Sequence, residues 1–201
     1  MAGEKRKFPS EVVDLPSKGL LYPKDHPLSS GQIEIKYMTA KEEDILTSRN
    51  LIQKGVVLDK LMESVIIQEG VTLDDLLLGD KNAIMIATRI LGYGKDYSVE
   101  MVDPSTGDKQ KETFDLTQLE DKKLDEKLYK KGQNSFEFEL PNSKVTLTVR
   151  LLTHKDEKEI EEELKALKKF TKLSGVTSEV TTRLKKAITA VDGDSSIKRI
   201  N

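Results

Sequence analysis

The chain contains no cysteine and only two histidines, His26 and His154, among its 201 residues. The first absence excludes disulfide scaffolds and thiolate zinc sites and fits a protein made in a reducing compartment. The second leaves a histidine-based metal centre short of ligands. No apolar run approaches the roughly 20 residues that span a bilayer. Met1-Ala-Gly-Glu-Lys-Arg-Lys7 is not followed by the apolar stretch of a secretory signal. A charge excess is missing too: 33 basic and 35 acidic residues leave a net charge of −2, so nothing draws the chain as a whole toward a phosphate backbone. Phosphate-binding GK[ST] loops, GxSxG elbows and HExxH helices are absent.

What is present is 36% hydrophobic and 34% charged residues, enough for a lean core under a heavily charged surface. One unit occurs twice. Ile33-Glu-Ile-Lys-Tyr-Met-Thr-Ala-Lys-Glu-Glu43 lies over Leu147-Thr-Val-Arg-Leu-Leu-Thr-His-Lys-Asp-Glu157, with eight of eleven columns matched in character. The aliphatics Ile33/Leu147, Ile35/Val149 and Met38/Leu152 correspond, as do the bases Lys36/Arg150 and Lys41/Lys155. Thr39/Thr153, Glu42/Asp156 and Glu43/Glu157 complete the set. Each copy reads as a strand entering a helix whose cap is the threonine, with an acid three residues on. Duplication and shared capping chemistry both account for the match.

Prolines 9, 16, 23 and 27 mark residues 1–31 as an extended N-terminal arm that lies along a surface. Removing it is expected to leave a folded body. Residues 32–95 form a strand plus helical region. Gln32–Met38 alternates, a helix runs from Thr39 to about Gln53 and closes at Gly55, and a second carries Leu58, Leu61, Met62, Val65 and Ile66. Thr72 and Asp75 cap a short turn, and Asp80 caps an apolar helix over Lys81–Leu91, ended by Gly92 and Gly94. Residues 96–134 are a β-hairpin about Asp103-Pro-Ser-Thr-Gly107 followed by a charged connector, Leu119–Lys131. Residues 135–201 are a second hairpin, Phe136–Leu140 and Val145–Leu151, followed by two helices. The last places Val180, Leu184, Ala187, Ile188 and Val191 on one face after a break at Ser174-Gly175, and Gly193 ends it. The expected fold class is α+β: a mainly helical body with two β-hairpins and the arm, residues 31–201 forming one compact domain.

Candidate chemistry is thin. The acid clusters Glu42-Glu-Asp44, Asp74-Asp75 and Glu161-Glu-Glu163 sit in helix first turns or charged faces, where carboxylates favour the helix dipole or stay solvated. Gly92-Tyr-Gly94 follows a helix, the wrong context for a dinucleotide loop. His154 is expected to face solvent and His26 to sit in a turn. The basic clusters Lys5-Arg-Lys7 and Lys165, Lys168, Lys169, Lys172 lack the interleaved aromatics that stack bases. No catalytic, metal or cofactor-binding residue is assigned, and neither membrane nor nucleic acid is a partner. The residues assigned to partner binding are Leu15, Pro16, Ser17, Lys18, Gly19, Leu20, Leu21, Tyr22 and Pro23, apolar side chains on an extended backbone suited to a groove or a sheet edge. The alternative is that they pack on their own domain. Thr39, Glu42, Thr153 and Asp156 are the structural caps.

Leu15-Pro-Ser-Lys-Gly-Leu-Leu-Tyr-Pro23, followed by Gly31-x-Ile-x-Ile-Lys-Tyr-Met-Thr-Ala-Lys-Glu-Glu-Asp-Ile-Leu46, resembles the baseplate hub or hub-assembly protein family of T-even-type contractile-tailed bacteriophages. The resemblance continues through Ile90-Leu-Gly-Tyr-Gly94, Val102-Asp-Pro-Ser-Thr-Gly107, Phe114-Asp-Leu116 and Phe136–Glu157. It implies a structural protein of the virion's tail baseplate, present in host cytoplasm during assembly, with no reaction and no cofactor. Its partners would be other baseplate hub or tail-tube proteins, and itself as a homo-oligomer. A non-virion, chaperone-like assembly factor is the second reading and a hub-associated hydrolase the third. Related chains often run on past Val191-Asp-Gly193, whereas this sequence ends at Asn201, so no family contact made beyond that point is carried over.

Overall fold

The computed structural model describes residues 8–170 and 178–200 and is a mixed α+β fold. Strand β1 (Ser10–Asp14) pairs antiparallel with β2 (Gln32–Lys36), setting Val13 opposite Ile33 and Glu11 opposite Ile35. Between them the chain doubles back through Lys18 and Gly19 and a 3-10 turn at Pro27–Ser30. Leu15, Leu21, Tyr22 and Leu28 enter one core with Ile33, Ile35, Met62, Leu73, Leu76, Leu77 and Ile84. The extended arm expected over residues 1–31 is therefore, from Ser10 onward, part of the body. Its prolines serve turns, and its apolar residues are spaced by those turns instead of by a helical or strand period. Gly19 and Gly31 show why. Both have positive φ, and a Cβ on Gly19 would come 2.5 Å from the Gly31 nitrogen.

The helix expected over Thr39–Gln53 is broken at Ser48 into α1 (Ala40–Thr47) and α2 (Arg49–Lys54). Then come α3 (Val57–Val65), the Thr72–Asp75 turn and α4 (Leu78–Tyr93). Helix α4 begins ahead of Asp80 and contains Gly92, so neither residue bounds it, and Gly94 forms its C-cap. β3 (Asp96–Val102) and β4 (Lys109–Asp115) pair antiparallel with most side chains exposed. The connector expected over Leu119–Lys131 is mostly irregular, with a 3-10 turn at Glu126–Leu128. β5 (Phe136–Glu139) and β6 (Thr146–Val149) lead into α5 (His154–Phe170), followed by α6 (Glu179–Ala187), β7 (Ile188–Val191) and α7 (Ile197–Ile200). The last long helix thus stops four residues short of its expected end. Ile188, Thr189 and Val191 are β-branched, and Ile188, Ala190 and Val191 stand opposite β6, which makes this segment a third strand with Thr189 at an irregularity in the pairing. Lys5-Arg-Lys7, Lys172, the Ser174-Gly175 break and the side chains of Lys168 and Lys169 lie outside the described residues.

The doubled unit extends well beyond eleven columns. In the front half β1–β2 leads into α1, and in the rear half β5–β6 leads into α5, each helix starting one residue after its threonine. Tyr37 N donates to Pro9 O at 3.0 Å, and at the matching place Leu151 N donates to Asn134 Oδ1 at 2.8 Å. α3 and α6 are nine residues each and end in an isoleucine with extended backbone, Ile66 and Ile188. Ile66 bridges back to Ile35 and Ile188 to Val149, the same position in each copy. An antiparallel strand pair, a capped helix, a later nine-residue helix and a return to the second strand therefore occur twice in the same order, the return being strand β7 in the rear copy and a single bridge at Ile66 in the front one, where α2 stands between the helices.

Each copy is organised by one buried carboxylate. Glu42 Oε1 takes a 2.7 Å ion pair from Lys36 Nζ, while Oε2 accepts from Thr39 N at 2.8 Å and Thr39 Oγ1 at 2.6 Å. Ser64 Oγ of α3 also donates to Glu42 Oε1. In the rear copy Asp156 receives both arms of the Arg150 guanidinium, at 2.7 and 2.6 Å, with Thr153 N at 2.8 Å and Thr153 Oγ1 at 3.0 Å. A shorter acid met by a longer, forked base spans the same gap. Burial acts to raise the Glu42 pKa, but the hydrogen bonds from Lys36, Ser64 and Thr39 overcome it and hold it at about 2.

Replacing Glu42 by Ala strands the nearly buried Lys36 ammonium and is expected to cost about 3 kcal/mol in urea unfolding. Because the Glu42 pKa lies below its ordinary 4.5 in the folded state, its stabilisation is complete above about pH 4.5 and is lost as pH falls toward 2. The E42A variant should lack that part of the acid slope, which unfolding titrations at several pH values would measure.

Candidate interaction surface

The nine-residue segment Leu15–Pro23 is tied down by a carboxylate far away in sequence. Asp80, in the first turn of α4 and 1% exposed, accepts from Ser17 N at 3.0 Å, Ser17 Oγ at 2.7 Å and Tyr22 OH at 2.7 Å. Tyr22 OH in turn accepts from Leu77 N at 3.0 Å. Burial, and then the Asp80 charge, push the Tyr22 phenol far above its ordinary pKa, so it remains a donor. The His26 ring stacks on Tyr22 at 5.4 Å, and its Nδ1 accepts from Leu28 N within the turn. Of the nine residues, Leu15, Gly19, Leu21 and Tyr22 are buried and face their own domain. Pro16, Ser17 and Leu20 are half-buried, and Lys18 and Pro23 are exposed. The connector crosses over the segment: Lys18 Nζ pairs with Glu126 at 2.7 Å and Gly132 N donates to Leu20 O at 2.7 Å. The polar hollow between connector and segment, about 680 Å³, is lined by Lys18, Gln32, Asp121, Lys122 and others.

A different surface carries more apolar area. Where α1, α3 and α4 meet the β3–β4 hairpin, a groove of about 460 Å³ is lined by Met38, Leu46, Leu58, Met85, Tyr93, Tyr97, Leu116 and Leu119. Arg89 lies over the Tyr93 ring at 4.9 Å and near the Tyr97 ring at 5.8 Å. Leu119 is 62% exposed at its rim. Sequence reading missed this site, because its residues come from four elements and α4 reads as a helix apolar on most sides. In the structure α4 buries Ile84 and Thr88 and turns Met85, Arg89 and Tyr93 to the groove.

His154, expected at the surface, is 3% exposed at the start of α5. Its backbone nitrogen donates to Leu76 O at 2.8 Å, so the segment before α4 covers it. Nδ1 lies 2.9 Å from Lys81 Nζ, which also pairs with Asp59 at 3.0 Å. Nε2 lies 3.3 Å from Asp59 Oδ2 but is not aligned for a hydrogen bond. Burial first, then Lys81, hold the imidazole below its ordinary pKa, against the opposing pull of Asp59 and Asp74. The neutral ring accepts from Lys81 and joins the front half to the rear. Among the described residues no group of three or more His, Asp or Glu side chains is arranged as metal ligands could be, and no helix is long and apolar enough to cross a membrane.

A family model described as T4 bacteriophage base plate protein matches residues 12–192. No match was found among curated proteins or among solved structures.

Deleting residues 1–31 removes β1 and four core side chains, and is now expected to abolish cooperative unfolding by circular dichroism instead of leaving a folded body. Tyr22→Phe leaves Leu77 N–H unpartnered and should cost about 2 kcal/mol. His154, with its pKa lowered on folding, contributes stability that is complete above its ordinary 6.5 and lost as pH falls below it. A His154→Gln variant should flatten the stability profile below about pH 6.5 relative to the parent.

Proposed function

The chain belongs to the T4 bacteriophage base plate protein family, and from that premise we propose that it is a structural protein of the phage tail baseplate, acting in the hub by docking to other baseplate or tail-tube proteins. The observation that carries the reading is the family match over residues 12–192. The exposed apolar groove beside Tyr93 and Tyr97 supports a docking mechanism. So does the wiring of the buried acidic side chains, which are consumed in caps, ion pairs and hydrogen bonds that hold the fold. Glu42, Asp80 and Asp156 each spend their oxygens on neighbours within the chain.

Contact with partners falls on the groove and on the outward parts of the Leu15–Pro23 segment: Pro16, Lys18, Leu20 and Pro23. Its buried members position these residues from behind. The protein resides in the virion tail and in host cytoplasm while tails are being built. The second reading, a chaperone-like assembly factor that leaves before completion, shares the same surfaces and differs in one observable.

Mass spectrometry of purified virions should find this polypeptide in mature particles. Its presence only in infected cells or tail intermediates would transfer the proposal to the assembly factor. Leu119→Asp, at a position 62% exposed, should leave the thermal transition unchanged while lowering the yield of infectious particles at least tenfold in a complementation assay. Unchanged yield would remove the groove from the docking surface.

A further inference from the structure

The two cap junctions are built alike and differ in what lies on them. At the rear one, residues 76–78 arrive from the front half and run antiparallel beside Thr153. Leu78 N donates to Leu152 O at 3.2 Å, and His154 N donates to Leu76 O at 2.8 Å. The Leu73–Asp75 turn just ahead of them packs on α5, where Ile160 is 0% exposed and Lys158 Nζ pairs with Asp74 at 3.2 Å. Continued along the helices, the repeat gives each rear residue a front counterpart: Met38 for Leu152, Ala40 for His154, Asp44 for Lys158 and Leu46 for Ile160. Among the described residues no segment is bonded to the front junction in the same way. Met38 O and Ala40 N make no backbone hydrogen bond there. Thr39, Ala40 and Asp44 are exposed, Leu46 is only half-buried, and Met38 and Leu46 line the apolar groove. Among the described residues no ion pair engages Asp44.

We propose that the front junction receives an extended, leucine-bearing segment of another polypeptide, bonded to Met38 O and Ala40 N as residues 76–78 are bonded to the rear junction. The rear copy shows the fit within this same chain. Two backbone bonds set the direction of the segment, and its leucines seal the helix behind the cap. Charge defines the occupant further. The segment that meets Lys158 carries an acid, Asp74, two residues ahead of Leu76. The front junction presents Asp44 at that place, so its segment carries a lysine or arginine there. A second copy of this chain is a poor occupant. Its own residues 76–78 are engaged on its rear junction, and they follow an acid where a base is called for. The assignment deepens the docking reading and rests on it, yet the two fail separately, since a binding assay on the purified chain does not depend on virion content.

The probe is a labelled peptide of residues 70–80 carrying Asp74→Lys, titrated with the full chain and read by fluorescence anisotropy. It should bind with a dissociation constant of about 100 μM or below, and about fivefold more tightly than the unaltered peptide. Ala40→Pro removes the amide donor at the first position of α1, a position that suits proline, and Thr39 before it is already extended at φ −124 and ψ 178. That variant should keep the parent's thermal transition and weaken the peptide about fivefold. Asp44→Lys, at an exposed position, should reverse the preference between the two peptides. Absence of binding up to about 1 mM overturns the proposal. Binding indifferent to Ala40→Pro overturns it too, because the peptide then sits elsewhere, the rear junction included. A peptide preference unmoved by Asp44→Lys overturns the choice of a basic residue in the segment.

Discussion

A carboxylate at the third position of a helix, bonded to its own cap and to a base on the strand before it, holds the turn from sheet to helix in both halves of this protein. The cap alone would satisfy the first amides of α1 or α5. Adding Lys36 to Glu42, or Arg150 to Asp156, fixes the angle at which the strand enters the helix. In the front copy the same carboxylate reaches α3 through Ser64. The packing of helix on sheet and the return of Ile66 to Ile35 then follow from one buried charge and its partners. Such a pair is costly to desolvate and adds little net stability over an apolar pair, so its value is geometric. In this fold that value is exercised twice.

The junctions were legible in sequence because their signals are local. A threonine, an acid three residues on and a base three residues before declare themselves without tertiary knowledge. The extra strand β7 was not legible, because Ile188 and Val191 also satisfy a helical stripe, and only pairing with β6 decides between them. The break at Ser48 was hidden for a related reason: Ile45, Leu46, Leu51 and Ile52 keep a plausible helical spacing across it. His154 appeared exposed because it follows a cap, and the chain that covers it, Leu76–Leu78, lies more than seventy residues away. The groove was invisible for the same reason, since it belongs to no single element.

The Leu15–Pro23 segment illustrates a wider ambiguity. Clustered leucines, a tyrosine and prolines on a non-helical backbone describe a recognition peptide and an irregular core segment equally well. What separates them is a distant acceptor. Asp80 meets the Ser17 amide and hydroxyl and the Tyr22 phenol, and each of those groups would otherwise prefer water. The specificity of this stretch of sequence is accounted for by its own fold, and only its exposed remainder is available to neighbours.

That closure has a temporal side. Ser17 waits for Asp80, and Leu20 waits for the amide of Gly132. Chains emerge from the ribosome N-terminus first, so β1 and the turns behind it are synthesised early and secured late. More than a hundred residues must be made before the connector can close over Leu20. Contacts of such sequence separation slow folding, and in the interval Leu15, Leu21 and Tyr22 lack their final cover. The oldest part of each nascent molecule therefore stays without its final cover until residues far behind it have been made.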